Sequence, residues 1–317
     1  MTPRTDLVLS VLHEPGEGLG FLAGFAITDK MIIAAGGVSN RAPTFLASSN
    51  ARHFESRKTP RELGLRDVLA IGEVLWTCGE YGQLAVSRDH GASWKQIDTT
   101  GDACLYGLAE AHDGAVWVVG DRGYAARVVG DTLERVDLGT TARLTCAYAR
   151  KDELVVLGFD GVIRRWRNGT TTAVATGSTK PLTALAWSRV GTWIVVGDGG
   201  FVGRSPDGTW FSKVKTEIAV DLEAIATLTD GRLVAVGDRG VVAMSADEGR
   251  SWKALASGTN AHLWAVEAFG GGAIIGGDDG LVVKIAPADD ETWSDRVNVF
   301  GGAHALDTVF GAGPDGF

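Results

Sequence analysis

Five carboxylates recur at one place in the chain, inside a four-residue Gly-acid-Xaa-Gly turn. They are Glu80, Asp121, Asp198, Asp238 and Asp278. An arginine follows the acid in two of the turns, at Arg122 and Arg239. If the turns share one surface, these carboxylates surround a common opening and could bind a cation, a basic peptide or the hydroxyls of a sugar. The alternative is that an acid simply suits the turn conformation.

The sequence around each acidic turn is that of a β-hairpin. In the clearest copy, residues 234–236 and 241–244 are apolar and mostly β-branched, and Gly237-Asp238-Arg239-Gly240 lies between them. A type I turn over Asp238 and Arg239, followed by Gly240 in the left-handed region, would close the hairpin. The acids are therefore expected at the tips of short antiparallel strand pairs.

A second kind of turn follows several of these hairpins. Residues 245–252 read Ser-Xaa-Asp-Xaa-Gly-Xaa-Ser-Trp, residues 87–94 have the same pattern, and residues 205–210 are a shortened copy. The aspartate can accept hydrogen bonds from turn amides, the glycine can take an unusual backbone angle, and the tryptophan can cover the hairpin. We expect a structural role for Ser87, Asp89, Gly91, Trp94, Asp207, Trp210, Ser245, Asp247, Gly249 and Trp252.

The acidic turns repeat at a nearly constant interval. Their first glycines, together with that of the related turn at residues 158–161, stand at positions 79, 120, 158, 197, 237 and 277. A period near 40 with about four strand signals per unit is typical of propeller blades, and the 3.6-residue periodicity of helical repeats is missing. The 44 glycines and ten tryptophans suit many short strands and tight turns.

The chain is therefore expected to form one all-β domain over residues 1–317, a seven-bladed β-propeller of four-stranded antiparallel blades. The expected blades span residues 18–58, 64–100, 102–139, 141–177, 180–216, 220–258 and 261–297, and residues 298–317 are assigned to ring closure. A terminal strand must complete one blade so that no open edge remains. Residues 6–13 and residues 304–310 are both candidates for that strand, and the choice between them decides between seven and eight blades, of which seven fits the pattern better.

Two of the second turns carry a resemblance to a known family. Residues 87–94 and 245–252 resemble the Asp-box, also called the bacterial neuraminidase repeat. With the acidic turns, the whole chain resembles the seven-bladed propellers of the photosystem II stability and assembly factor type, and more broadly the sialidase-like propellers. In that superfamily Asp-boxes are structural and lie away from the binding face, which implies the same here.

We expect the protein to be a non-catalytic binding or scaffolding module. It would bind a protein or peptide through one loop face, and it could do so as part of a larger assembly. The candidate contacts are the five acids with Arg122 and Arg239, and the long loop around Asn40 and Arg41. The alternative is a glycan-binding or glycoside-hydrolysing, sialidase-like propeller. Tyr81 and Tyr124 could then face the opening, although no arginine triad can be assigned to them and the Arg-Ile-Pro signature is absent.

Composition narrows the choice of partners. The net charge of -9 and the pI near 5.2 argue against nucleic acid. No apolar run reaches the roughly 20 residues that span a bilayer, so we expect a cytoplasmic protein without membrane insertion.

Cys78, Cys104 and Cys146 are expected to be buried free thiols. The six histidines show no ligand spacing and no phosphate-binding loop opens a helix, so neither metal nor cofactor is expected.

Overall fold

The computed structural model describes residues 7–38 and 43–287, and these residues form twenty-eight short strands. In chain order the strands are β1 (Leu7–His13), β2 (Leu22–Ile27), β3 (Ile32–Gly36), β4 (Thr44–Ser48), β5 (Glu55–Ser56), β6 (Leu65–Ile71), β7 (Val74–Gly79), β8 (Leu84–Ser87), β9 (Lys95–Gln96), β10 (Leu105–Glu110), β11 (Val116–Gly120), β12 (Ala125–Val129), β13 (Thr132–Arg135), β14 (Leu144–Arg150), β15 (Glu153–Gly158), β16 (Ile163–Arg167), β17 (Thr170–Ala173), β18 (Leu182–Trp187), β19 (Trp193–Gly197), β20 (Phe201–Ser205), β21 (Ser212–Lys213), β22 (Leu222–Thr227), β23 (Leu233–Gly237), β24 (Val242–Ser245), β25 (Lys253–Leu255), β26 (Leu263–Phe269), β27 (Gly272–Gly277) and β28 (Val282–Pro287). Within the described residues, no helix has both the length and the apolar character that crossing a bilayer requires.

The strands form seven four-stranded antiparallel sheets, which are the blades of a propeller. Blades 1 to 6 are β2–β5, β6–β9, β10–β13, β14–β17, β18–β21 and β22–β25, and blade 7 combines β26–β28 with β1. The first strand of each blade contacts the first strand of the next, and β26 contacts β2. The ring is therefore closed, and the predicted all-β, seven-bladed architecture is confirmed.

The strand that closes the ring is β1. It pairs antiparallel with β28, with Leu7 opposite Pro287 and Val11 opposite Val283. Of the two candidate segments, the one at residues 6–13 therefore provides the fourth strand of blade 7. The residues assigned to closure, 298–317, and the second candidate, 304–310, lie outside the described residues.

The hydrophobic core lies between neighbouring blades. Each innermost strand begins with a leucine of which at most 1% is exposed, and these are Leu22, Leu65, Leu105, Leu144, Leu182, Leu222 and Leu263. Between blades 6 and 7, for example, Val234 and Val236 pack in one cluster with Leu263 and Ile275. Because a sheet presents side chains to both of its faces, each blade is stabilised by both of its neighbours.

Each innermost strand has a bulge immediately after this leucine. The register shifts by one residue there in all seven blades. A bulge re-aims the side chain of the extra residue. The bulged residues are Ala23, Arg66, Tyr106, Thr145, Thr183, Glu223 and Trp264.

The acidic turns differ from the type I turn that the sequence suggested. In the turn of blade 6, the Val241 amide donates to the Asp238 carbonyl at 3.0 Å. Arg239 has φ 55° and ψ 34°, and Gly240 has φ 67°. Positive φ at both central positions is the mark of a type I′ turn, whose twist matches that of a β-hairpin, whereas a type I turn would splay the strands.

The three Asp-box-like turns join the third and fourth strands of blades 2, 5 and 6. In blade 6, Asp247 Oδ1 accepts bonds from the Ser245 hydroxyl (2.8 Å) and the Ser251 amide (2.9 Å), and Oδ2 accepts one from the Ser251 hydroxyl (2.6 Å). These bonds outweigh the effect of partial burial, so the pKa of Asp247 is lowered. Its folded pKa lies below the unfolded value, so its contribution to stability is present above about pH 4 and is lost as pH falls below that.

The tryptophans of these turns have different environments. Trp94 packs edge-on against Phe45 of the preceding blade, with ring centroids 5.6 Å apart. Trp252 donates through Nε1 to the Gly249 carbonyl at 3.2 Å. Trp210, which ends the shortened turn, is 53% exposed. The expected covering role therefore does not extend to Trp210.

Replacing Asp247 with asparagine should lower the melting temperature by about 2 to 5 °C. The amide cannot accept the Ser251 bonds on both of its heavy atoms, and this should cost about 1 to 2 kcal/mol, since the group is only partly buried. Thermal denaturation followed by circular dichroism measures the effect. Asp160→Asn is the matched control and should leave the melting temperature unchanged. Asp160 is exposed, and its backbone is in the left-handed region, which asparagine tolerates. A loss of binding with unchanged stability would contradict a structural role for Asp247.

Candidate functional site

One face of the ring carries all five of the acids that the sequence singled out. We call it the turn face. It consists of the turns between the second and third strands of the blades, and of the connections that lead into each innermost strand. Because the strands of a blade alternate in direction, these segments lie at the same end of the ring. The Asp-box-like turns lie at the opposite end, and Asn40 and Arg41 lie outside the described residues.

The backbone fixes each acidic turn against the start of the innermost strand. The Asp121 amide donates to the Cys104 carbonyl (2.9 Å), and the Asp238 amide donates to the Asp221 carbonyl (3.0 Å). The Asp278 amide makes the equivalent bond at 3.1 Å. The side chains of the turns therefore lie beside the bulged residues of the innermost strands.

Blades 5 and 6 place four carboxylates close together on this face. We call Asp198, Asp221, Glu223 and Asp238 the acidic sector. Burial raises the pKa of Asp198, and the charges of Asp221 and Glu223 raise it further. Asp221 Oδ1 accepts a bond from the Gly199 amide at 2.6 Å. Burial is the larger cause of the raised pKa of Asp198, and the charge of Lys180 offsets part of the shift, but the repulsion that its acidic neighbours add is what a positively charged ligand would relieve.

His262 borders the acidic sector. Its Nδ1 contacts Asp238 Oδ1, and its Nε2 lies 3.3 Å from Glu223 Oε1. Burial opposes protonation of this ring, but Glu223 and Asp238 outweigh it and raise the pKa of His262. The ring also stacks on Trp264, with centroids 3.7 Å apart. The spacing of the histidines in the sequence indicated no site, whereas His262 lies on the turn face.

The remaining sectors carry guanidinium groups stacked on aromatic rings. We call Phe21, Arg66, Tyr106, Arg143, Phe159 and Trp264 the cation-aromatic arc. The Arg66 guanidinium lies 5.1 Å from the centre of the Phe21 ring, which is 4.9 Å from that of Trp264. The Arg143 guanidinium lies 5.0 Å from the Tyr106 ring and 4.8 Å from the Phe159 ring. These distances are those of cation–π contacts.

The five predicted acids have different partners. Glu80 forms an ion pair with Arg66 at 2.5 Å, and Asp121 forms one with Arg143 at 2.6 Å. Asp278 accepts bonds from Trp264 Nε1 (2.8 Å) and from the His262 amide (3.1 Å). Asp238 contacts His262. Within residues 7–38 and 43–287, Asp198 has no hydrogen-bond or ion-pair partner for its carboxylate.

The two predicted arginines also differ. Arg122 forms an ion pair with Asp102 at 2.7 Å. Among the described residues, Arg239 has no such partner, and it borders a shallow depression of about 460 Å³ lined by the acidic turn of blade 6 and by the connection that follows β25. Tyr81 is exposed, but Tyr124 is buried and donates its hydroxyl proton to the Thr99 carbonyl at 3.2 Å. The expectation that Tyr124 could face the opening is wrong.

Several residues of this face were missed from the sequence. The candidate contacts named from the sequence did not include Arg66, Tyr106, Arg143, Glu223 and Trp264. The available signal was positional. Arg66, Tyr106, Glu223 and Trp264 each directly follow the leucine that opens an innermost strand. Aligning the blades on that leucine would have identified the row.

The innermost strands also carry polar groups deeper in the ring. Burial raises the pKa of Asp67 to about 7, although the carboxylate accepts bonds from the amides of Leu108 and Val68, both at 2.8 Å. Burial and the charge of Asp67 raise the pKa of Glu267 to about 8. No group of three or more histidine, cysteine or acidic residues among the described residues is arranged to hold a metal ion.

The three cysteines are unpaired, but they are not all buried. Cys78 is buried, as expected, whereas Cys104 and Cys146 are half-buried. Burial raises the pKa of Cys146 to about 12 and also raises the pKa of Cys104. At neutral pH these thiols therefore stay protonated.

Comparisons with known proteins place the chain among β-propellers. No family model matches the sequence, and no curated protein matches it. A catalytically inactive virginiamycin B lyase from Staphylococcus aureus, solved with quinupristin, has a TM-score of 0.77 at 12% identity, covering 89% of this chain and 99% of that one. YCF48 from Cyanidioschyzon merolae has a TM-score of 0.72 at 15% identity, covering 89% and 99%.

Two further structures have the same fold. YCF48 bound to D1 peptide has a TM-score of 0.71 at 14% identity, covering 89% of this chain and 94% of that one. The WD40 propeller domain of Doa1 has a TM-score of 0.73 at 16% identity, covering 92% and 99%. At these identities the likeness shows the fold, and at that level the resemblance to assembly-factor propellers is confirmed. A seven-bladed propeller with a charged and aromatic turn face is therefore the framework for a functional proposal.

Proposed function

We propose that this chain is a non-catalytic, protein- or peptide-binding propeller whose partner lies on the turn face, across the central opening. The observation that carries the proposal is the division of that face into an acidic sector and a cation-aromatic arc. A binding role also suits the propeller relatives, of which YCF48 has been solved with a bound peptide. We further expect the protein to act in the cytoplasm, within a larger assembly.

The chemistry of the two sectors indicates what the partner carries. A lysine, an arginine or a free amino terminus would reduce the mutual repulsion of Asp198, Asp221 and Glu223. The arc offers flat surfaces on which an aromatic or apolar side chain can stack. Its arginines are already in contact with Glu80 and Asp121, so they contribute contact area more than free charge. The proposed ligand is a segment with a basic residue near an aromatic one.

Asp198→Lys is the sharpest test of this proposal. The carboxylate has no partner among the described residues, so the substitution should leave the fold intact and reverse the charge at the centre of the acidic sector. On an array of random peptides, the wild type should select sequences that combine basic and aromatic residues. The variant should bind the best of these peptides at least about tenfold more weakly in fluorescence anisotropy, and added salt should weaken wild-type binding.

Glu134→Lys is the matched control, because Glu134 is exposed on the outer strand β13 of blade 3, outside the acidic sector of blades 5 and 6. It should bind like the wild type. Equal loss of binding in both variants would point to net charge instead of a site. Absence of peptide binding, combined with binding or cleavage on a glycan array, would overturn the proposal in favour of the glycan alternative.

A further inference from the structure

The outer strands of the seven blades differ in length and charge. In blades 1 to 6 the outermost strand has two to four residues. Five of these six strands contain a charged residue, and the sixth, β17, has four residues. Short, charged edges are what prevents one sheet from pairing with another.

Blade 7 lacks both of these features, and its outermost strand is interrupted only by a bulge at Leu12, near its carboxyl end. Its outermost strand, β1, has seven residues with the sequence Leu-Val-Leu-Ser-Val-Leu-His and contains no acidic residue, lysine or arginine. Val8 is 50% exposed and Val11 is 47% exposed. One edge of β1 pairs with β28, and no described strand pairs with the other. A long, uncharged edge of this kind presents unpaired backbone groups to any strand that can approach it.

We propose that this edge is the interface of a homodimer, in which β1 pairs antiparallel with β1 of a second copy about a twofold axis. The two copies of blade 7 would then form one continuous eight-stranded sheet. In a twofold interface the same patch is used twice, so the patch must be complementary to itself.

The sequence of β1 meets this requirement. Pairing centred on Ser10 places Leu9 opposite Val11 of the second copy, and Ser10 opposite Ser10. No charge is left facing an equal charge, and apolar residues flank the centre on both sides. A charged partner, by contrast, would find no counterion on β1.

The proposed dimer leaves the peptide site free. The edge of β1 lies at the outside of the ring, whereas the turn face surrounds the central opening. The two proposals are therefore independent, and salt should affect them in opposite directions. Each copy carries a net charge of -9, so raising the ionic strength should strengthen the dimer by screening repulsion between the copies.

Sedimentation velocity of the full chain tests the proposal. The wild type should sediment as a dimer of 33.3 kDa subunits at tens of micromolar, and more completely at higher salt. Val8→Lys combined with Val11→Lys should give a monomer with an unchanged circular dichroism spectrum. Val190→Lys is the control, because Val190 is an exposed valine on another blade, and it should remain dimeric.

The outcome does not depend on the folding of the lysine variant. A wild type that stays monomeric at about 100 micromolar, at low and at high salt, would overturn the proposal. So would a dimer that the folded lysine variant retains. If that variant does not fold, Ser10→Cys decides instead, since oxidation should join two copies through the central position of the edge. If the wild type is a dimer but Ser10→Cys forms no disulfide-linked dimer on oxidation, the edge of β1 is not the interface.

Discussion

Gly237→Ala should destabilise the protein by about 3 kcal/mol or more and lower its melting temperature by about 6 °C or more. The backbone at Gly237 is extended, with φ 178°, so conformational strain is not the cause. The cause is space. A Cβ atom at this position would lie 2.0 Å from the Asp221 carbonyl oxygen and 2.9 Å from the Leu222 Cα. Both atoms are backbone and belong to the strand start against which the acidic turn packs.

The chain provides two matched controls for this prediction. At Gly277, the equivalent glycine of blade 7, the nearest atom to an added Cβ is the His262 carbonyl oxygen at 3.0 Å. Gly277→Ala should therefore cost clearly less. At Gly101 no atom lies within 4 Å of the added carbon, so Gly101→Ala should change stability by about 0.5 kcal/mol or less. Thermal melts of the three variants measure the ranking, and equal losses at Gly237 and Gly101 would contradict the packing argument.

Glu267→Gln should make the protein more stable at pH 8.5 than the wild type and flatten its dependence on pH. The pKa of Glu267 is raised from about 4.3 in the unfolded chain to about 8 in the folded protein. The folded state therefore holds a proton that the unfolded state releases. The stability of the wild type should be greatest below about pH 4 with respect to this group, and should fall as pH rises toward 8.

The expected size of this effect is about 2 to 3 kcal/mol between pH 5 and pH 8.5. A shift of this size corresponds to at most about 5 kcal/mol, and the partial exposure of Glu267 reduces it. Urea denaturation at both pH values measures the difference. Asp67 remains in the variant with its own raised pKa, so some dependence on pH should persist. Glu134→Gln is the control, and its stability should depend on pH as that of the wild type does. If the stability of Glu267→Gln changed with pH as steeply as that of the wild type, Glu267 would ionise freely in the folded state and the prediction would be wrong.

The repeating local features were predictable because short-range chemistry determines them. A Gly-acid-Xaa-Gly turn closes a hairpin wherever it occurs, and its return every 38 to 41 residues indicated seven blades. The bonds of Asp247 to Ser245 and Ser251 span only a few residues and could likewise be anticipated. The turn type was wrong because the twist of the hairpin, a property of two paired strands, selects type I′ over type I.

The two glycines of the acidic turn in blade 6 are required for different reasons, one local and one tertiary. Positive φ at Gly240 is a local requirement that its sequence context signalled. Gly237 is required because another backbone segment occupies the space of a side chain, so that an added Cβ would lie 2.0 Å from the Asp221 carbonyl oxygen, and no local pattern contains that segment. The sequence therefore identified both glycines and explained one of them.

Short-range patterns in the sequence predicted four-stranded blades, favoured seven of them over eight, and identified the acidic turns and the turns that stabilise the outer hairpins. The pairing of the acids depends on the tertiary structure, because Arg66, Arg143 and His262 reach Glu80, Asp121 and Asp238 only when strand starts and turns meet in the closed ring. The tertiary structure also decided that β1 closes blade 7, since that pairing joins opposite ends of the chain. Hairpins form from neighbouring residues, whereas a binding face and a ring closure depend on contacts between distant ones.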